Sequence, residues 1–280
     1  MPFRIALAGL AGGLALAAAP LAAQPSVDFP DFYDCSALQL NGSAACTGGV
    51  LRLTDAVNSQ AGSAFVAEPI QLLPGAAFSA YFVVNIGSGT CEDADGPGAD
   101  GLTFTVQAVG PTELGTGGAL MGYEPIPSSF AVELDTWDNE GGWNDPDGNH
   151  LGLDLGGSAS SVATAPVGPR MNDGTSRYVW IDYDGTTLEA RIDSVSIRPA
   201  SPTLSSVVDL ESELGTTLAW VGFTAGTGGC AETHDIVAWQ LTGWAPLSLV
   251  DIPTLSGAGL ASLAVVLVLS AGLVLRRRRT

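Results

Sequence analysis

Lysine is absent from these 280 residues, and ten Arg against 29 acids leave a formal charge of −19. A surface of that sign repels phosphate, which argues against unaided nucleic-acid binding and makes a cation the more natural partner. The sequence contains no G-x-S-x-G elbow, no P-loop and no H-E-x-x-H pair, so the commonest hydrolase, nucleotide and zinc-protease signatures are missing. Cysteine is scarce, at four residues, and no C-x-x-C spacing offers zinc its usual ligands. Helical periodicity is nearly missing. Glycine (36) and proline (17) are plentiful but follow no G-X-Y period, and six Trp with nine Phe supply core material, so collagen and outright disorder are poor descriptions. What remains is a turn-rich all-β domain.

Both ends of the chain are accounted for by export and retention. Residues Met1 to Ala23 read as a signal peptide: Arg4 gives the positive start, Ile5 to Ala18 is apolar, and Ala22 and Ala23 offer a cleavage site. Residues 24–246 form the exported domain, and 247–254 a short stalk. Leu255 to Leu275 is uncharged and, at about 1.5 Å per residue, long enough as a helix to cross a hydrocarbon core of about 30 Å. Arg276 to Arg279 follow in the tail 276–280 and would stay cytoplasmic, which turns the domain outward. The expected location is the cell envelope or surface, held by one membrane pass. The exported part then carries five Arg against 29 acids, a balance of −24. Ile252-Pro253-Thr254-Leu255-Ser256, the apolar span and the Arg cluster together resemble the bacterial IPTL-CTERM sorting tail, which implies processing there. Gly257-Ala258-Gly259 stands where that family usually carries tryptophan.

Between the ends, strand signals recur with turn residues between them. Val50–Thr54, Phe78–Val84, Leu102–Val106, Phe130–Asp135, Tyr178–Tyr183, Leu188–Ile192 and Leu218–Thr224 alternate or run apolar for five to seven residues. Asp184-Gly185 reads as a tight hairpin turn, because Gly supplies positive φ without strain. This spacing predicts two packed antiparallel sheets. In an exported chain, Cys35, Cys46, Cys91 and Cys230 predict two disulfides with three possible connectivities. Cys35 with Cys46, as hairpin neighbours, is preferred, which leaves Cys91 with Cys230.

The chemistry concentrates in Val132 to Asn139 and Asn144 to His150. On a strand Glu133 and Asp135 share one face while Val132 and Leu134 pack on the other. Paired carboxylates repel unless a cation or proton intervenes. Asp135, the Trp137 carbonyl, Asn139 and Asp145 present hard oxygens suited to calcium. Glu133 and His150 beside Asp135 and Asp145 suggest a second site, whose imidazole favours a transition metal such as manganese.

The order of these segments resembles the legume-type (L-type) lectin family, whose fold is a concanavalin-like jelly-roll β-sandwich. Phe130 to Asp135 is similar to that family's metal strand V-A-V-E-F-D-T, and Asp145-Pro146 with His150 to its D-P…H continuation. Compared with plant members, Asn139 to Asp145 is two residues longer and Asp145 to His150 shorter. Ala99-Asp100-Gly101-Leu102-Thr103-Phe104 is similar to the family's A-D-G-x-x-F, which implies a cis Ala–Asp peptide and a carboxylate that accepts from two sugar hydroxyls. Gly117 to Gly122 resembles the glycine-rich loop whose backbone N–H donates to sugar, with Ala119 in place of a usual glycine beside Gly118. The resemblance gives Asn139 two contacts, its oxygen on calcium and its nitrogen on sugar. Val221 to Trp239 resembles the specificity loop and last strand, with the loop tip at Gly229-Cys230 on the rim of the sugar site and Thr233-His234-Asp235 in a structural role. It places Cys91 at that rim too. The similarity runs from Asp28 to Leu241 and implies an anchored, calcium-dependent glycan binder.

Two other classes remain. Sandwiches of this kind also host glycoside hydrolases built on E-x-D-x-E or E-x-D-x-x-E, but after Glu133 and Asp135 those third places hold Trp137 and Asp138. A module that adheres to protein rather than sugar would have no need of Asp100 and Asn139.

Overall fold

The computed structural model describes residues 27–72, 77–87, 89–94, 96–243 and 245–246. The signal-peptide, stalk, membrane-helix and basic-tail expectations lie outside those residues. Among the described residues no helix is long and apolar enough to cross a membrane.

Two antiparallel sheets face each other. The back sheet runs in the order Leu204–Val207, Thr187–Asp193, Ser176–Tyr183, Phe78–Gly87, Thr233–Thr242, Val50–Thr54 and Ala45–Thr47, with Val27–Phe29 also paired to Thr233–Thr242. The front sheet runs Ala163–Pro166, His150–Leu155, Ser129–Asp135, Gly101–Gln107, Leu218–Gly226, Ala61–Val66 and Leu38–Gly42. All seven strand segments read from alternation are strands, several extended by a residue or more. Alternate residues of each sheet point inward, and aromatic side chains close the gap. Phe82 of the back sheet stacks on Phe104 of the front sheet at 6.0 Å, and Phe223 meets Phe82 edge-on at 5.1 Å and Trp239 at 5.0 Å. Such pairs add about 0.5–1.5 kcal/mol each beyond the area they bury.

Both disulfides form as Cys35–Cys46 and Cys91–Cys230. Cys46 lies on Ala45–Thr47, which pairs with Val50–Thr54, whereas Cys35 lies in the loop before Leu38–Gly42, so the bridge joins loop to strand rather than hairpin partners. The Asp184-Gly185 turn is likewise shifted by one residue. Asp184 N–H donates to the Thr187 carbonyl, so Gly185, at φ 99°, and Thr186 form the turn centre.

Register places the chemistry. Gly101 pairs with Asp135 on one side and Gly226 on the other, while Asp135 pairs with His150 and Glu133 with Gly152. Asp100, Asp135, His150 and the start of the specificity loop therefore meet at one end of the front sheet.

Candidate functional site

The Ala99–Asp100 peptide is cis. Asp100 N–H donates to Gly226 O at 3.1 Å, and its carbonyl accepts from Thr136 N–H at 3.1 Å, which fastens the turn to both neighbouring strands. The carboxyl is buried, and Oδ2 has no hydrogen-bond partner. A Cβ on Gly228 would stand 3.1 Å from that oxygen and 3.3 Å from Gly118 Cα, so carboxylate, Gly118 turn and loop tip converge where a side chain would crowd. Burial is the largest influence on Asp100 and pushes it up to about 7; His234 and the Gly228 N–H pull it down, and Glu232 pushes it further up. Gly118 N–H donates to the Thr227 carbonyl, and the half-exposed Ala119 follows in the same short turn. Gly229 is held through its carbonyl by Asn58 Nδ2 at 2.6 Å, and Cys230 by Cys91.

The candidate cation ligands lie beside this cleft. Every residue of Ser129–Asp135 is buried, including Glu133 and Asp135, so the acidic face is no solvated loop. Asp135 Oδ1 accepts from Trp137 N–H at 2.8 Å. Asp145 Oδ2 accepts from the Asn139 backbone at 2.8 Å, while its Oδ1 is buried without a hydrogen bond and faces His150. His150 sits with Nε2 at 3.3 Å from Glu133 and Nδ1 at 3.5 Å from Asp145. Burial first, then the charges of Glu133 and Asp145, hold Asp135 far above the carboxylate range. Asp145 is also raised, mainly by burial, against the pull of the Asn139 donors. For His150 burial lowers the imidazole, but the hydrogen bond and charge of Glu133 outweigh it and leave the group raised.

The Asn139 amide is turned opposite to the expectation. Its Nδ2 donates to Trp137 O at 3.2 Å and to Asp145 Oδ2 at 3.0 Å, because both neighbours are acceptors and require a donor. A half turn about its last torsion presents oxygen there instead. Among the described residues no group of three or more His, Cys, Asp or Glu side chains is gathered as a metal cluster. Even so, the donors fit a divalent cation. An orphaned Asp145 oxygen, the raised Asp135 and the Trp137 carbonyl are hard oxygens whose mutual repulsion a cation would relieve.

Two groups escaped the sequence reading. Glu232, fully buried, accepts from Asn172 Nδ2 at 2.8 Å and from the Thr136 hydroxyl, and lies 3.1 Å from His234 Nε2. His234 Nδ1 meets Thr54 Oγ1 at 2.6 Å. This network ties the specificity loop to the end of the acidic strand, and gives His234 the structural place expected for it. Asp154 is buried too, and Ser161 Oγ lies 2.7 Å from it and 2.6 Å from Glu133. The His150-x-Gly152-x-Asp154 alternation was the available signal, since residues two apart share a face.

The sequence and the fold both resemble known proteins. The legume lectin domain matches over residues 24–254. An L-type lectin-domain containing receptor kinase, SIT2, from Oryza sativa subsp. japonica is 31% identical over 250 residues, covering 78% of this chain and 36% of that protein. The chain spans about a third of the length of such relatives. Among solved structures, winged bean acidic lectin complexed with methyl-α-D-galactose is 30% identical at a TM-score of 0.67, covering 79% of this chain and 98% of the other. Winged bean basic lectin with Tn-antigen is 28% identical at 0.64, with 79% and 98% covered. The β-sandwich is theirs, and the chain belongs to the legume lectin family.

Proposed function

We propose that this domain binds carbohydrate with the help of calcium, through the Asp100 carboxylate, the backbone at Gly118 and Ala119, Asn139 and the loop tip Gly229-Cys230. The observation that carries the reading is the buried Asp100 Oδ2, without a hydrogen-bond partner, where the Gly118 turn and Gly228 converge with no side chain between them. An ionised carboxylate in such a place accepts strongly from hydroxyl groups, and charge-assisted bonds of this type exceed neutral ones about twofold. The sugars in the two winged bean complexes support the same class of ligand.

Asp135, the Trp137 carbonyl, Asn139 and Asp145 would hold calcium, and Glu133, His150, Asp135 and Asp145 a transition metal such as manganese. A cation there supplies positive charge that lets the neighbouring carboxylates stay ionised at neutral pH. Asp100 is then kept as an acceptor, and Asn139 bridges the cation ligands and the sugar cleft. Glu133 is engaged by Ser161 and His150 within the buried strand, which supports a ligand-holding role over that of a hydrolytic acid. The export signal, apolar span and Arg cluster support display of the domain outside the cell on a membrane anchor, in adhesion or glycan capture.

The test is a glycan array probed with the full chain in calcium and in chelator, beside Asp100→Ala. Retention of particular glycans only with calcium, lost in the variant, is expected. Equal retention by Asp100→Ala overturns the site; no retention in calcium favours a protein-binding module.

A further inference from the structure

Five arginines fall among the described residues, and four are ion-paired: Arg52 with Asp55 and Asp235, Arg177 with Asp173, Arg191 with Asp182 and Glu189, and Arg198 with Asp182. Arg170 has no ion pair among the described residues. Its Nε and Nη1 are buried with no hydrogen-bond partner, and Nη2 makes only a long bond, 3.5 Å, to the Pro97 carbonyl. A guanidinium carries five donors and keeps its charge at any ordinary pH, so idle donors in a buried place call for an acceptor. Arg170 lines a cavity of about 270 Å³ with Asp147, Asn149, Val167 and Gly168, and is the sole cation of that lining.

Arg170 is linked to the proposed sugar cleft through the Pro97 carbonyl. The Pro97 carbonyl also accepts from Asn172 Nδ2 at 2.7 Å, and that nitrogen reaches Glu232 of the specificity loop at 2.8 Å. Gly96, where a Cβ would overlap the guanidinium, precedes Asp100 by four residues, at most about 14 Å of chain. On the other side Asn149 adjoins His150. Asp147, the acidic member of the lining, is engaged: its Oδ1 accepts from Asn149 N–H at 2.9 Å and lies 3.8 Å from His150 Nδ1.

We propose that Arg170 forms an anionic subsite beside the sugar cleft, which takes an oxyanion carried by an adjoining sugar ring, the carboxylate of a uronate or a sulfate ester. The ligand class is then an acidic glycan. The strongly negative domain opposes such a ligand mostly at long range, where salt screens charges beyond about 8–10 Å; Asp147 opposes it within the lining, and contact with the guanidinium acts against both. The inference rests on the carbohydrate reading for its sugar but not for its anion.

Arrays of matched oligosaccharides in neutral, uronate and sulfated forms test it, with the full chain in calcium beside Arg170→Gln and Arg170→Lys. The wild type should prefer the acidic member about tenfold or more, the usual worth of a hydrogen bond to a charged group. Arg170→Gln should lose the preference while neutral binding persists, and Arg170→Lys should restore part of it. No acidic preference, or a preference unchanged in Arg170→Gln, overturns the proposal while leaving the lectin reading intact. If no glycan is retained the lectin reading fails, and calorimetric titration with glucuronate and inorganic sulfate decides the anion site alone. Binding that disappears in Arg170→Gln supports it, and no heat from the wild type overturns it.

Discussion

Gly152 is where the candidate cation ligands depend on a missing side chain. A Cβ there would overlap both Glu133 Oε1 and Ser161 Oγ, the two atoms that set the Glu133 carboxylate beside His150. Gly152→Ala should therefore push Glu133 out of place and, as overpacking in a closed interior, cost about 1–3 kcal/mol. Urea denaturation in chelator measures this, and an unchanged midpoint would refute the argument. The residues legible in the sequence were those whose short-range spacing signals a shared face: Glu133 with Asp135, then Asp145 and His150. Asp100 was visible only through its resemblance to a known pattern. Asp154 was signalled only by the His150-x-Gly152-x-Asp154 alternation, and Glu232 was not legible, because a carboxylate in a loop is ordinarily solvated. Only the folded chain brings Thr136 and Asn172 onto Glu232, while Ser161 reaches Asp154 from the turn that follows its strand.

The specificity loop shows the same division at the level of elements. Strand periodicity locates its first flank and the family resemblance its second, yet its shape comes from long-range ties: Asn58 to Gly229, Thr90 with Ala231 in both directions, and the Cys91–Cys230 bridge. That bridge closes a sequence separation of 139 residues. In the chain-entropy account such closure contributes about 4–5 kcal/mol by restricting the unfolded chain, although measured gains are often smaller. Cys91→Ser with Cys230→Ser should lower stability by a few kcal/mol on this account, seen in denaturant. Glycan affinity should fall less than about tenfold, because Asn58 and Thr90 still brace the tip. A variant that keeps full stability contradicts the first expectation, and one that binds no glycan while folded contradicts the second. Turns were legible to within a residue, as the Gly185-Thr186 centre shows, since either Asp184 or Gly185 satisfies the local rule and cross-strand register decides between them.

At the scale of the whole molecule, the buried charges act together. Asp100, Asp135, Asp145 and Asp154 are all raised, chiefly by burial, and His150 is raised by Glu133 despite burial. A carboxyl raised in the folded state binds more protons there than in the unfolded chain, so it costs stability as pH climbs above the ordinary value of 3.8. A raised histidine contributes stability below its unfolded value and loses it as pH rises through the folded one, so it acts in the same direction. In chelator the melting temperature should thus fall between about pH 4 and 8, with Asp100 losing its proton near 7. Calcium, bound by the folded state, should raise it most at the alkaline end. Scans at several pH values check this; a melting temperature that climbs with pH in chelator, or ignores calcium at pH 8, would count against it. The last long strand adds a mechanical consequence. Thr233–Thr242 begins next to the specificity loop and ends near Ala245–Pro246, about 30 Å away at the usual rise per residue. It lies between Phe78–Gly87 and Val50–Thr54, with Val27–Phe29 also paired to it. A pull exerted at Pro246 against a ligand gripped at Asp100 runs along that strand and loads its flanking ladders in shear. Many backbone bonds then have to yield at once instead of unzipping singly, a geometry suited to holding a ligand under tension.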